Sequence, residues 1–357
     1  MMKLEVKEHI ILSHYTTLKL GGAAKYFCTC SSIDEIREAL AFAKQKNLRT
    51  HILAGGSNTI FSDEGFNGLV IKIALTGISI TDDGADVLVT VKAGEEWDTL
   101  VKMCVEKGYA GVECLSGIPG SVGATPIQNV GAYGQEVKDT IVTVKAIDRS
   151  TGQEVSFSNS DCQFSYRQSR FKFQDSGKYI ITEVTYRLVK NGKPTINYPE
   201  VKNMVEMSVP RSSLANGKEA LEAVRNVVLL LRRKKSMVVD PNDPNTKSVG
   251  SFFMNPVVSN SQLLVVSNRW KGVGDGTEIP TFPFGEQVKI PAAWLIEKSG
   301  YKKGYTKNGV GISNNHTLAL VNRGGTTAAL LALAKEIQER VEEYFSIRLE
   351  IEPVIVS

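Results

Sequence analysis

The sequence is poor in the residues that hold metals or staple small domains. Its 357 residues include four histidines and five cysteines. His9, His14, His51 and His316 lie far apart with no HxxxH or HxxE spacing, so a zinc or non-haem iron site has no ligand set and no metal is expected. Cys28, Cys30, Cys104, Cys114 and Cys162 are odd in number and form no CxxC pair, so a disulfide framework is not expected and a reducing compartment fits. No apolar run is long enough to span a bilayer, and the N-terminal MMKLEVKEHIIL lacks the apolar core of a signal peptide. The formal net charge of +4 is small for this length and leaves no nucleic-acid footprint. The signatures GxSxG of serine hydrolases, GxxxxGK[ST] of the P-loop and GxGxxG of the Rossmann fold are all missing.

What the chain has is glycine in clusters. Leu115 to Glu136, LSGIPGSVGATPIQNVGAYGQE, holds Gly117, Gly120, Gly123, Gly131 and Gly134 with Pro119 and Pro126 between them. Both residue types oppose a helix interior, and a structureless loop of this length is uncommon unless functional. Small residues at this density let backbone N–H groups approach a bulky anionic ligand. A second cluster, Gly55-Gly56-Ser57-Asn58, follows the strand-like His51 to Ala54. Two such cradles suggest one dinucleotide held mostly by backbone amides. The plainer alternative is a pair of surface loops.

Around these stretches the pattern is α+β, and the chain is too long for a single core. Ser32 to Glu35 is a capping box that opens a helix with Ile36, Ala39, Leu40 and Ala43 on one face. Asp82-Asp83-Gly84 predicts a hairpin, and a helix over Glu95 to Glu106 stops at Gly108. Ser150-Thr151-Gly152 predicts a second hairpin, and Tyr179 to Leu188 alternates strictly as a further strand. Lys190 to Gly217, with Pro194, Pro199 and Pro210, reads as irregular and as the best domain boundary. Helices are predicted over Lys218 to Arg233, Ala292 to Lys298 and Thr326 to Phe345, and a terminal strand over Arg348 to Val356.

Several side chains could carry chemistry. Asn129 and Tyr133 could contact a ring or ribose, or else close a turn and fill a core gap. Arg167, beside Tyr166, could clamp a carboxylate with two donors or serve in a structural ion pair. Ser251, before two phenylalanines, could give a proton to a strongly basic carbanion or act as a cap. Glu350 and Glu352 share one side of the terminal strand, as an exposed edge also would. Arg232-Arg233-Lys234-Lys235 reads as a solvated helix end.

In combination and order, Gly55 to Asn58, GIPGSVGATPIQNVGAYG from Gly117 to Gly134, SYRQS from Ser165 to Ser169, GSFFMNP from Gly250 to Pro256 and LEIEP from Leu349 to Pro353 resemble the bacterial UDP-N-acetylenolpyruvoylglucosamine reductase family. Tyr198 resembles the tyrosine of its sub-type with a substrate-covering loop. The resemblance implies an α+β protein with a two-sub-domain FAD-binding fold of the vanillyl-alcohol-oxidase type, in 1–76 and 77–215. A C-terminal α+β substrate-binding domain in 216–345 and a strand in 346–357 returning to the active site complete it. It implies non-covalent FAD, NADPH as co-substrate, and hydride transfer to an enolpyruvyl UDP-sugar in peptidoglycan precursor synthesis. The expected protein is a cytoplasmic monomer with no nucleic-acid or membrane partner.

The same resemblance assigns residues. FAD falls to Gly55, Gly56, Ser57 and Asn58, and to Gly117, Pro119, Gly120, Ser121, Gly123, Ala124, Asn129, Gly131, Ala132 and Tyr133. The substrate falls to Tyr166, Tyr198, Lys235, Asn255 and Lys289, which turns the basic cluster into an anion-binding helix terminus. Arg167 and Glu352 match the family's charged pair, and Ser251 its proton donor. Glu352 is expected to be protonated, raised by burial and like charge. Two departures stand out: 236–249 is longer than the usual connection, and LEIEP lacks a proline between its glutamates, so the choice of Glu352 over Glu350 rests on spacing. The alternatives are another FAD-dependent oxidoreductase of the same fold, or a nucleotide-sugar-binding protein without flavin. Covalent flavin is disfavoured because the long stretch holds no histidine or cysteine after Cys114.

Overall fold

The structure is a computed structural model that describes residues 4–208 and 216–357. It forms two compact units. The first comprises Met1–Ile10, Ala24–Gly56 and Asn67–Val238, and the second Ile11–Ala23, Ser57–Phe66 and Val239–Ser357.

Unit one is built on two sheets. In the smaller, strands run in the order Val6–Ile11, Ala23–Cys30, Phe66–Ile73 and Arg49–Leu53, the last two paired in parallel. Helix α1 (Ile33–Gln45) packs here through Ile36, Ala39 and Ala43, and its Ser32–Glu35 capping box forms as the sequence predicts. The larger sheet is antiparallel, in the order Glu154–Ser158, Ile141–Asp148, Tyr179–Lys190, Asp86–Lys92 and Ile78–Asp83. Both predicted hairpins are present in it. The strand Tyr179–Lys190 is buried on both faces over much of its length rather than alternating, because helix α2 (Trp97–Glu106) and the long glycine stretch belong to the same core.

One sequence expectation for this unit needs correction. Lys190 to Gly217 is not wholly irregular: Pro199–Ser208 forms helix α3, which buries Val201 and Val205. Pro199 starts that helix, since the first helical N–H has no intrahelical acceptor to lose. The expected domain boundary at 215/216 borders 209–215, which lie outside the described residues. Beyond them, helix α4 (Gly217–Lys234) packs Val224, Val228 and Leu231 against Cys114, Val201 and Val205, so it groups with unit one and the division falls after Val238.

Unit two carries two three-stranded sheets, one of Val257–Val258, Gln287–Lys289 and Phe282–Phe284, the other of Thr306–Lys307, Val310–Ile312 and Leu320–Asn322. Helix α5 (Asn260–Val273), which the sequence reading did not anticipate, opens on a Ser259–Gln262 capping box. Helix α6 (Ala292–Lys298) lies where predicted, and α7 (Thr327–Phe345) buries Leu330, Leu333, Ile337, Val341 and Phe345. Each such side chain contributes about 1.5–3 kcal/mol relative to exposure. The Asp63 carboxylate accepts from Thr327 N–H and Ala328 N–H at 2.7 and 2.8 Å, satisfying the first orphan donors of α7. The expected terminal strand shrinks to Val354–Val356, which runs parallel to Thr59–Phe61, preceded by a single bridge at Ile351.

Candidate active site and cofactor cradle

The glycine stretch is held along its length. Gly120 C=O accepts from Trp97 N–H at 3.0 Å, Val122 N–H donates to Glu95 C=O at 2.9 Å, and Gly123 N–H to Ala93 C=O at 2.9 Å. Trp97 is buried and its indole N–H donates to Leu115 C=O at 3.0 Å. Thr125 Oγ1 donates to Val122 C=O and lies 2.8 Å from the Tyr186 hydroxyl in the sheet core. The first glycine cluster meets this stretch edge to edge: a Cβ on Gly55 would lie 2.6 Å from Gly120 Cα. A Cβ on Gly123 would lie 2.5 Å from Ala93 Cβ, so both approaches require glycine.

Two buried polar atoms at this cradle lack a partner among the described residues: Ser121 Oγ, and Nε of Arg232 on α4. A Cβ on Gly117 would lie 3.5 Å from that Nε. Burial pushes the Arg232 guanidinium down to about 10, with Tyr133 and Asp98 pulling it back up. Orphaned buried donors are costly, and a polar ligand laid on the glycine backbone would satisfy them. A dinucleotide such as FAD fits this donor set. Sequence reasoning missed Arg232 because it stands in a run of four basic residues.

Asp98 is a second omission. Its carboxylate takes Arg225 of α4 in bidentate fashion at 2.6 and 2.8 Å and also accepts from Gly117 N–H at 2.6 Å. Burial pushes this carboxyl up, but Arg225, the Gly117 N–H and the charge of Arg232 outweigh it and hold it below the usual carboxylate range. The ion pair thus fixes the backbone where the glycine stretch begins.

The SYRQS segment forms a tight turn against the same stretch. Ser165 and Gln168 exchange backbone hydrogen bonds at 3.1 and 3.2 Å, leaving Tyr166 and Arg167 at the tip, Arg167 with φ +56°. Ser169 Oγ donates to Ile127 C=O at 2.6 Å, and the Arg167 guanidinium donates to Gly131 C=O at 2.8 Å. Its carbon lies 5.6 Å from the Tyr166 ring centre. Asn129 is fully buried: Nδ2 donates to Glu136 Oε2 and Ser165 C=O at 2.9 and 3.0 Å, and Oδ1 accepts from Lys138 N–H at 3.1 Å. These bonds tie the Asn129 side chain to the turn at Glu136–Lys138 and to the SYRQS segment. Tyr133 meets Tyr198 edge to face at 5.3 Å, and Lys235 Nζ sits 5.9 Å from the Tyr133 ring centre.

Unit two gathers the other motifs. Phe252 N–H donates to Leu318 C=O at 2.8 Å, and Gly250 takes φ +75°, which fixes the half-buried Ser251 between them. Phe253 bridges Ile351 in antiparallel fashion, with Glu352 N–H donating to Phe252 C=O at 3.0 Å and Met254 N–H to Glu350 C=O at 2.9 Å. GSFFMNP and LEIEP therefore lie side by side, with Glu352 opposite Phe252 and half-buried, while Glu350 is exposed opposite Met254. Asn58 joins them: its C=O accepts from Val354 N–H at 2.9 Å, and its Nδ2 lies 3.5 Å from Glu352 C=O. Asn255 Oδ1 accepts from Ala292 N–H at 2.9 Å and so caps α6. Lys289 lies in the Gln287–Lys289 strand with Nζ 4.5 Å from the Phe284 ring centre.

Of the residues singled out by sequence, unit one thus holds Gly55, Gly56, the glycine stretch, Tyr166, Arg167, Tyr198 and Lys235. Unit two holds Ser57, Asn58, Ser251, Asn255, Lys289 and Glu352.

Residues 24–158 match the FAD binding domain family model, and residues 241–356 match the model for the C-terminal domain of UDP-N-acetylenolpyruvoylglucosamine reductase. The chain is 44% identical over 362 residues to the UDP-N-acetylenolpyruvoylglucosamine reductase of Thermobifida fusca, covering 100% of this chain and 99% of that one. It is 43% identical over 351 residues to the enzyme of the same name from Streptomyces coelicolor, covering 97% and 89%. The crystal structure of UDP-N-acetylenolpyruvylglucosamine reductase from Thermus caldophilus superposes with a TM-score of 0.65 over 100% of both chains at 24% identity, a likeness of fold.

Proposed function

The chain belongs to the UDP-N-acetylenolpyruvoylglucosamine reductase family, and from that premise we propose how its own residues divide the reaction. It is an FAD-dependent oxidoreductase with an FAD-binding fold of the vanillyl-alcohol-oxidase type and a C-terminal α+β domain. It reduces the enolpyruvyl group of UDP-N-acetylglucosamine enolpyruvate to give UDP-N-acetylmuramate, a peptidoglycan precursor, with NADPH as reductant. No described helix is long and apolar enough to cross a membrane. As part of the same proposal, the protein acts as a monomer in the cytoplasm.

The Gly55–Gly120 approach and the orphaned Ser121 and Arg232 donors support FAD binding by this cradle. When bound there, FAD would supply the hydride-transfer chemistry that links NADPH to the β-carbon of the enol ether. Arg167, presented by its turn, donates to the substrate carboxylate, whose oxygens gain charge as the electron pair moves toward the α-carbon. Ser251 Oγ–H gives its proton to the α-carbon. The high basicity of that centre makes a serine adequate, and the alkoxide is reprotonated from solvent. Glu352, protonated, hydrogen-bonds the developing enolate instead of repelling it. Tyr166, Tyr198, Lys235, Asn255 and Lys289 orient the UDP-sugar, Lys235 at its diphosphate.

The observation that carries this division is the pairing of the Ser251 and Glu352 segments, which sets Glu352 apart from exposed Glu350. Glu352→Gln should slow flavin reoxidation by the UDP-sugar about 10²-fold, whereas Glu350→Gln should stay within about twofold of wild type. Stopped-flow reoxidation of the pre-reduced enzyme measures both. A larger loss for Glu350→Gln would transfer the role to Glu350.

A further inference from the structure

The segment that carries Tyr198 is pinned at one end and latched at the other. At the pinned end, Thr195 N–H donates to Glu113 Oε1 at 2.8 Å. Glu113 is fully buried and also accepts from Gly111 N–H and Gln135 Nε2, both at 2.8 Å. In the middle the chain rests on the glycine stretch, for a Cβ on Gly134 would lie 3.3 Å from Asn197 Cβ. At the other end Glu200, in the first turn of α3, reaches Lys235 Nζ at 2.8 Å through Oε2. Lys235 is the C-cap of α4, and Tyr198 C=O accepts from Lys202 N–H at 3.0 Å, so Tyr198 and Glu200 move with one helix end.

We propose that Glu200 is a positioning residue which holds Lys235 and the Tyr198 segment in the substrate-free arrangement and competes with the substrate's diphosphate for the Lys235 ammonium. This rests on the reading above that Lys235 meets that diphosphate. The two anions want the same cation. Burial pushes the Lys235 ammonium down, yet the Glu200 hydrogen bond and the neighbouring tyrosines outweigh it and hold it above its ordinary value, so the lysine arrives charged for either anion. Side-chain exposures of 34% and 40% make the pair weak enough to exchange, unlike the buried Glu113 anchor. When a diphosphate takes Lys235, the Tyr198 segment loses its polar latch at Glu200 and keeps the Thr195 anchor and the packing of Val201 and Val205 on α4.

The test is calorimetric binding of uridine diphosphate and of uridine to the oxidised, FAD-loaded enzyme. Glu200→Gln should tighten uridine diphosphate about threefold and leave uridine unchanged. Lys235→Met should weaken uridine diphosphate about tenfold, and in that background Glu200→Gln should change nothing. Glu200→Gln that leaves uridine diphosphate unaltered or weakened, or tightens it equally with and without Lys235, overturns the latch while the Lys235 assignment stands on the Lys235→Met result. Lys235→Met that binds uridine diphosphate like wild type overturns both. Glu200→Asp, a shorter acid, should fall between wild type and Glu200→Gln, a gradation that a packing role would not produce.

Discussion

Ser251→Ala should leave NADPH-driven flavin bleaching at the wild-type rate and slow reoxidation by the enolpyruvyl UDP-sugar by about 10²- to 10⁴-fold, the range for loss of a positioned general acid. The asymmetry follows from the chemistry. NADPH oxidation moves a hydride and needs no proton from the protein, whereas the reduced enol ether carries an electron pair at its α-carbon until a proton arrives. The substitution is also structurally quiet. Ser251 is half-buried, and the contacts that fix its segment are backbone ones, Phe252 N–H to Leu318 C=O and Glu352 N–H to Phe252 C=O. Rapid-mixing traces of the two half-reactions separate the outcomes. An equal fall in both would mean that the serine serves the cradle and not the proton.

Gly55→Ala should cost the protein its flavin. The added methyl would lie 2.6 Å from Gly120 Cα, 3.0 Å from its carbonyl carbon and 3.1 Å from Ser121 N, all backbone atoms with no flexible end to yield. The two glycine clusters must therefore separate, at about 1–3 kcal/mol of overpacking strain. Ser121, whose buried hydroxyl has no partner among the described residues, moves with them. Spread onto FAD affinity, that strain is a weakening of about 5- to 150-fold, read as low flavin content after purification and recovery on adding excess FAD. Gly272→Ala is the control: it meets nothing within 4 Å, lies inside α5, and should leave flavin content unchanged while helix stability holds or rises. Full flavin retention in Gly55→Ala would remove the close approach from the account of cofactor binding.

Much of this was legible in the sequence, for physical reasons that also explain what was not. The Ser32–Glu35 cap and the inward face of α4 are local patterns, and local patterns survive into the fold. Pro199 misled because a proline ends one helix and opens another with equal ease, and only the following Val201 and Val205 tell which. Helix α5 hid behind Leu263-Leu264-Val265-Val266, an unbroken apolar run without helical periodicity. Leu264 and Val265 are exposed, and burial falls on Val266 and Trp270. The alternation of Leu349 and Ile351 looked like a full strand, yet only the bridge at Ile351 precedes Val354–Val356.

The site shows the same division. The motifs were readable because glycine density and an arginine beside a tyrosine are sequence facts, but the partners that decide a side chain's job are distant. Asn129 reads in sequence as a ligand contact or a turn residue, and its bonds to Glu136, Ser165 and Lys138 are not visible there. Asp98 and Arg225 stand 127 residues apart, and nothing local marks either as the anchor of Gly117. Glu352 and Glu350 are equivalent as letters and differ only through the register of Ile351 on Phe253.

The central claim is that one chain runs two half-reactions through a single non-covalent flavin. Anaerobic titration of the purified yellow enzyme tests it most directly. One equivalent of NADPH should bleach the flavin absorbance, and one equivalent of UDP-N-acetylglucosamine enolpyruvate should restore it with formation of UDP-N-acetylmuramate. A protein that stays colourless when offered FAD, or a flavin that NADPH bleaches and the enolpyruvyl sugar does not reoxidise, would contradict the account.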